Sequence, residues 1–223
     1  MMSYPALSPL AQLHVPPYAV RLSRIARWIS NASQPPLVGV LCLVLVALWT
    51  QAANGQGGLT TAEPKWSWQP WLWSAEYLAV AVLMPTVYVY WLMRRGQVSD
   101  MQLQIRQQRI KPYCAALGCM TAAAGLLLFT HAPHIFVQVG WANVAQMALL
   151  FALTLRWKVS AHSASAAGLA VLACKLMGLA GLPFCALVPI VAWSRVRLGR
   201  HDALQTVAGT LIGMGVVLTM LAF

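Results

Sequence analysis

The chain is 223 residues long, 60% hydrophobic and only 9% charged, far from the roughly one-quarter charged composition of soluble globular domains. Its formal net charge of +11 would suggest nucleic acid in a soluble protein, yet the cations here sit in short breaks between apolar segments and form no continuous face. An ordinary soluble domain is excluded, and the expected partners are membrane lipids and no nucleic acid.

Residues 1–35 read as a basic N-terminal tail. No cleavable leader is expected, because prolines and arginines interrupt the segment and no compact apolar core precedes a small-residue cleavage site. Within the tail, Tyr18 to Ile29 is predicted as an amphipathic interfacial helix: Arg21, Arg24 and Arg27 recur every three residues beside Leu22, Ile25 and Trp28, which suits a helix lying on an anionic leaflet.

Residues 36–223 form the predicted membrane domain. Its apolar segments run approximately Pro36–Ala53, Trp71–Met93, Pro112–Thr130, Ile135–Leu155, Ser163–Leu179, Leu182–Trp193 and Ala203–Phe223. A spanning helix needs about 20 apolar residues to cross about 30 Å of hydrocarbon, so the sixth segment is short for a full crossing. Backbone groups in hydrocarbon must bond internally, and no segment alternates as a barrel strand does. The predicted fold class is therefore all-α, a polytopic transmembrane helix bundle of six to seven spans.

Thirteen of the fifteen Lys and Arg residues lie in the tail, in Arg94–Lys111, in Arg156–Lys158 and in Arg195–Arg200. These regions share one side if all seven segments span, and the opposite loops carry only Lys65. The positive-inside tendency makes that basic side cytoplasmic. The five cysteines fall inside apolar segments without C-x-x-C spacing, so they read as small core hydrophobes and not as metal ligands.

Only Glu63, Glu76, Asp100 and Asp202 are acidic. Glycosidase chemistry needs two facing carboxylates, magnesium-dependent phosphotransfer needs carboxylates to hold the ion, and ion-coupled transport usually leaves acidic residues within spans. None of these is easily built here, and no metal or cofactor is expected. What remains is chemistry done by His and Arg, and His162 and His201 are the two histidines that fall in cation-rich loops. His14, His131 and His134 read as structural.

The first basic loop ends in Arg109-Ile110-Lys111-Pro112-Tyr113, where proline is tolerated at the opening of a span, and Arg106 lies one turn before Arg109 if the loop is helical. The second, Trp157-Lys158-Val159-Ser160-Ala161-His162, runs into a span whose small-residue start presents unpaired N–H groups, a ready anion site. There Ser160 is either an anion donor or a helix cap. In the third loop His201 and Gln205 are four apart at a helix start, so the Gln205 amide oxygen can hold one imidazole N–H and free the other nitrogen to attack. Gly209 and Gly213, also four apart, mark close helix packing.

These loops resemble the type 2 phosphatidic acid phosphatase family, with motifs K-x6-R-P, P-S-G-H and S-R-x5-H-x3-D. Ser194-Arg195 followed by His201 fits the third motif in spacing, and Ser160-Ala161-His162 fits the second with Ala for Gly and Val159 for Pro. A bacterial branch with R-x-x-P-Y, W-K-I-S-A-H and R-x-x-L-x-x-H-x-x-x-Q-x-x-A-G is more similar still, matched by Arg109 to Tyr113, Trp157 to His162 and Arg195 to Gly209. The family aspartate is Gln205 here, and an amide orients an imidazole without stabilising its cation by charge. In the first motif Gln104 falls where the lysine would stand, so Arg106 and Arg109 are both candidate phosphate ligands.

The resemblance implies an integral membrane lipid phosphatase in a bacterial inner membrane, its active-site loops cytoplasmic. His201 attacks phosphorus to form a phosphohistidine, and His162 protonates the leaving oxygen and later activates water. Arg195, Lys158 and Arg109 clamp the phosphate oxygens, a role that positioning and charge neutralisation allow without a metal. The substrate is a lipid phosphate of the phosphatidic acid, phosphatidylglycerophosphate or prenyl diphosphate type. The alternatives are a lipid-linked phosphotransferase sharing the intermediate and a catalytically weak pseudoenzyme that binds anionic lipid. The sequence assigns no oligomeric state.

Overall fold

The computed structural model describes residues 17–55, 66–101, 103 and 105–222. His14, Glu63, Lys65 and Gln104 lie outside them. The described residues form helices α1 (Pro17–Ala32), α2 (Pro35–Gly55), α3 (Gln69–Leu78), α4 (Met84–Arg94), α5 (Ile110–Phe129), α6 (His134–Thr154), α7 (Ala161–Met177), α8 (Leu187–Arg197) and α9 (Ala203–Met220). No strand occurs among them. Six helical stretches are long and apolar enough to cross a membrane, and large apolar side chains such as Phe129, Leu179, Leu72 and Leu211 are exposed along them. This is an all-α integral membrane bundle whose outer surface suits lipid.

The second stretch joins α3 to α4 through a π-helical turn, Ala79–Leu83. Pro85 has no N–H to return to the preceding turn, and beside it the Thr86 hydroxyl donates to its own i−4 carbonyl, that of Val82 (2.6 Å). Local widening of this kind is a common answer to an interrupted ladder. Here it puts Ala81 and Val82 on the wall of the internal cavity described below.

The fifth and sixth apolar segments are joined in one helical stretch, Ala161–Arg197. Its 37 residues would exceed the bilayer if straight, since a helix rises about 1.5 Å per residue. It folds back instead. Gly178 takes positive φ at the end of α7, a 3-10 turn runs through Gly178–Ala186, and Gly181 lies so close to the Ala173 backbone that a Cβ would not fit. The Cys174 and Cys185 sulfurs come within 3.7 Å across the fold. Only Leu187–Arg197 of the return limb is α-helix, which accounts for the shortness of the sixth segment.

The basic breaks meet at one end of the bundle. Arg106 Nη1 donates to the Thr154 and Leu155 carbonyls (3.1 and 2.5 Å), Lys111 Nζ donates to Gln97 Oε1 (2.7 Å), and the Ser160 N–H donates to the Gln205 carbonyl (3.2 Å). The Arg106 and Ser160 ties join segments that apolar spans separate in sequence, and the Lys111 tie closes the first basic loop on itself. Near the opposite end Thr130 meets Glu76 and Gln138 meets the Met220 carbonyl. Aromatic rings mark both ends: Trp66 packs on Trp68 and Trp71, while Trp91 stacks on Tyr88 beneath Arg95, as expected where amphipathic rings sit at headgroup depth.

The closest helix pair is α7 with α9, which run in the same direction. Gly209 faces the Ser160 carbonyl and Gly213 faces the Ala164 carbonyl, both too near to admit a Cβ. Small residues four apart on both partners let the backbones touch. This register sets the starts of α7 and α9 side by side, and the two loop histidines with them.

Candidate active site

Arg195 occupies the last turn of α8, and Gly199, at positive φ, turns the chain back so that the Arg200 and His201 N–H groups both meet the Arg195 carbonyl (3.0 and 3.4 Å). The S-R-x5-H spacing is thus a closed loop that sets the guanidinium and imidazole against each other. Asp202 then caps α9, accepting from the Gln205 N–H at 2.8 Å. His201 Nδ1 donates to Gln205 Oε1 at 2.9 Å, the contact expected from their spacing. Gln205 Nε2 donates to Asp202 Oδ2 at 2.8 Å. Because the carboxylate claims the amide nitrogen, the amide oxygen is the atom left for the imidazole. Asp202, one residue beyond the histidine, belongs to no motif position, and its part in the site comes from this fold.

Burial pushes His201 down to about 3 from the ordinary histidine value, the Gln205 contact opposes this, and Arg195, Lys158 and Arg109 add to it. The imidazole is therefore neutral above that value, with its proton on Nδ1 and its lone pair on Nε2. An unfolded chain would bind this proton near pH 6.5, so the fold loses stability from His201 as pH falls from about 6.5 toward 3. The His201 Cε1–H proton resonance is expected to stay unchanged between pH 8 and pH 5 in detergent. A midpoint near 6.5 would mean that the ring is not desolvated.

His162 stands in the first turn of α7, buried and beside the backbone of Ser30. Its Nε2 has no hydrogen-bond partner among the described residues. Arg195 and Arg109 are only 2% and 3% exposed, a depth at which guanidinium groups need anions or acceptors. Arg109 donates through Nε to the Leu103 carbonyl (2.7 Å), reaches the Val159 carbonyl (3.4 Å) and lies 6.0 Å above the Tyr113 ring. Lys158 is half-exposed, and burial followed by the proximity of Arg109, Arg195 and Arg200 lowers its pKa, with Asp100 opposing. Four cations thus crowd one spot.

His162, His201, Arg195 and Arg109 all line one cavity of about 490 Å³. From this cationic mouth it continues between the helices past Tyr113, Val89, Leu150 and Leu172 to Tyr77 and Asn143, where Asn143 Nδ2 donates to the Tyr77 hydroxyl (3.2 Å). The remaining sequence candidates serve around it. Ser160 is fully buried and acts as the α7 cap, accepting from the Ser163 N–H (3.3 Å) and hydroxyl (3.0 Å). Arg106 binds carbonyls at the end of α6 and is not among the cavity residues. Gln205 stands behind His201. Ser30, from a helix read as interfacial, was unforeseen, since nothing in its local sequence links it to Arg195, 165 residues away.

No group of three His, Cys, Asp or Glu residues comes together among the described residues. Comparison with protein-family models, with curated proteins and with solved structures gives no match.

Proposed function

We propose that this chain is an integral membrane lipid phosphatase that works through a phosphohistidine, in the manner of the type 2 phosphatidic acid phosphatases its loops resemble. The observation that carries the reading is the cavity: two buried histidines and two buried arginines at its mouth, and an apolar interior behind them. A phosphate carried on an apolar chain matches both parts. Arg195 and Arg109 neutralise the oxygens, with Lys158 at the rim, and charge-assisted hydrogen bonds in a desolvated site favour the transition state more than water does.

His201 Nε2 attacks phosphorus and forms the P–N bond while the P–O bond to the lipid breaks. Nδ1–H stays on Gln205 Oε1 and Asp202 holds the amide, so positive charge developing on the imidazole is met by a dipole with a carboxylate behind it. His162 enters this step as imidazolium, its charge balanced by the bound phosphate, and gives its Nε2 proton to the departing alkoxide, which leaves the ring neutral. Water then attacks phosphorus, His162 takes its proton, the P–N bond breaks and inorganic phosphate leaves. The cationic end of the bundle faces the cytoplasm in this reading, because discounting Arg109, Lys158 and Arg195 still leaves ten of the thirteen basic loop residues there.

Phosphate release from a panel of lipid phosphates in detergent, with and without EDTA, tests the proposal. Release is expected from at least one lipid at an unchanged rate under chelation. A large loss with EDTA, restored by magnesium or zinc, would overturn the metal-free chemistry. Binding of lipid phosphates without turnover would make the chain an anionic-lipid-binding protein.

A further inference from the structure

Helix α1 was read from sequence as a surface helix, and its outward face agrees: Arg21, Arg24 and Arg27 are exposed beside Leu22, Ile25 and Trp28. Its inward face is made of small residues, with Ala26 and Ser30 buried where α1 packs on α8. Small residues allow close approach, and Ser30 is thereby brought to the end of α8 that carries Arg195. Arg195 Nη1 donates to Ser30 Oγ at 2.5 Å.

The second contact comes from how α1 ends. The last four carbonyls of a helix lack intrahelical partners, and Ser30 falls within that last turn because α1 stops at Ala32 before Pro35 and Pro36. The buried His162 ring lies beside the Ser30 backbone, and in a helix the Ser30 N–H is already committed to the preceding turn, so the carbonyl is the group free to face it. One serine from outside the spanning bundle thus holds a side chain of α8 and stands next to a side chain of α7.

We propose that Ser30 is a positioning residue of this site, holding the Arg195 guanidinium through its hydroxyl at the wall beside His162, so that α1 is a working part of the site. This rests on the phosphatase reading for its catalytic consequence, but the phosphate-binding consequence is independent of turnover. Ser30→Ala keeps the carbonyl and removes only the hydroxyl. Arg195 then loses a fixed partner on the phosphate side of the mechanism, while proton transfer by His162 is retained.

The expected result is a rise of about tenfold in KM and in the inhibition constant of inorganic phosphate, with kcat changed less than threefold, since a single hydrogen bond to a charged group is of that order. Ser30→Thr keeps the hydroxyl and is expected to recover most of the affinity. If the unaltered protein is active and Ser30→Ala leaves both constants unchanged, the Ser30 proposal is wrong and the phosphatase reading survives. If the unaltered protein releases no phosphate from any lipid, the phosphatase reading fails, and titration with inorganic phosphate followed by NMR decides the rest. A tenfold weaker affinity in Ser30→Ala then sustains the positioning role; equal or absent binding in the two proteins overturns it.

Discussion

His201→Ala is expected to lower turnover by about ten-thousandfold or more, and to abolish an acid-labile phosphoenzyme. In the proposed mechanism the imidazole forms the covalent bond, so its loss removes a step and not merely a contact. His162→Ala should cost about a hundredfold to ten-thousandfold, least for a lipid phosphate with an activated leaving group, because an acid matters less when the alkoxide departs easily. Rapid mixing with labelled substrate should trap phosphate on His201 in the unaltered protein. Asp202→Asn probes the relay behind the histidine: asparagine can still cap α9, but its amide no longer accepts from Gln205 Nε2 as the carboxylate does, and a loss of about tenfold is expected. A fully active His201→Ala protein would remove the phosphohistidine mechanism altogether.

Gly213→Ala is expected to destabilise the bundle by about 3 kcal/mol or more, the upper part of the range for overpacking. The added Cβ would lie 2.7 Å from the Ala164 carbonyl carbon and nearer still to its oxygen, and backbone cannot swing aside as a flexible side chain can. The helices α7 and α9 must separate, and with them His162 and His201. Gly215→Ala, two residues on in the same helix, meets nothing within 4 Å and should be neutral or stabilising by a few tenths to about 1 kcal/mol, through the lower chain entropy of alanine. Denaturant unfolding of the two variants in the same detergent tests the contrast. Equal stabilities would show that the α7–α9 contact is looser than the close register described above.

Much of the architecture was legible because hydrocarbon imposes so few solutions. A segment that is long and apolar must be a helix, and a cation is costly inside the apolar slab, so the spans and the clustering of all but Lys65 and Lys175 in the basic breaks follow from one-dimensional order. The His201–Gln205 pair was legible for a related reason, since residues four apart on a helix start share a face whatever surrounds them. The Gly209 and Gly213 contact followed from the same spacing. Less was visible where a residue's partner is remote. Arg106 and Arg109 are indistinguishable in sequence as basic residues one turn apart, and folding sends the first to the end of α6 and the second to the cavity mouth. Ser160 offered both a cap and an anion donor, and the Ser163 N–H and hydroxyl claim it as a cap.

By itself the sequence determined a lipid-solvated helical bundle, its basic end and the local pairing that points His201 Nε2 away from Gln205, because transfer free energy and helical periodicity act on each segment separately. Only the tertiary structure decided that α1 supplies Ser30, that Asp202 anchors Gln205, that Ala161–Arg197 doubles back at Gly178, and that four charged or titratable side chains open onto one apolar cavity. Those outcomes depend on which backbones approach closely enough to touch, and close approach is set by pairs of small residues on helices far apart in the chain.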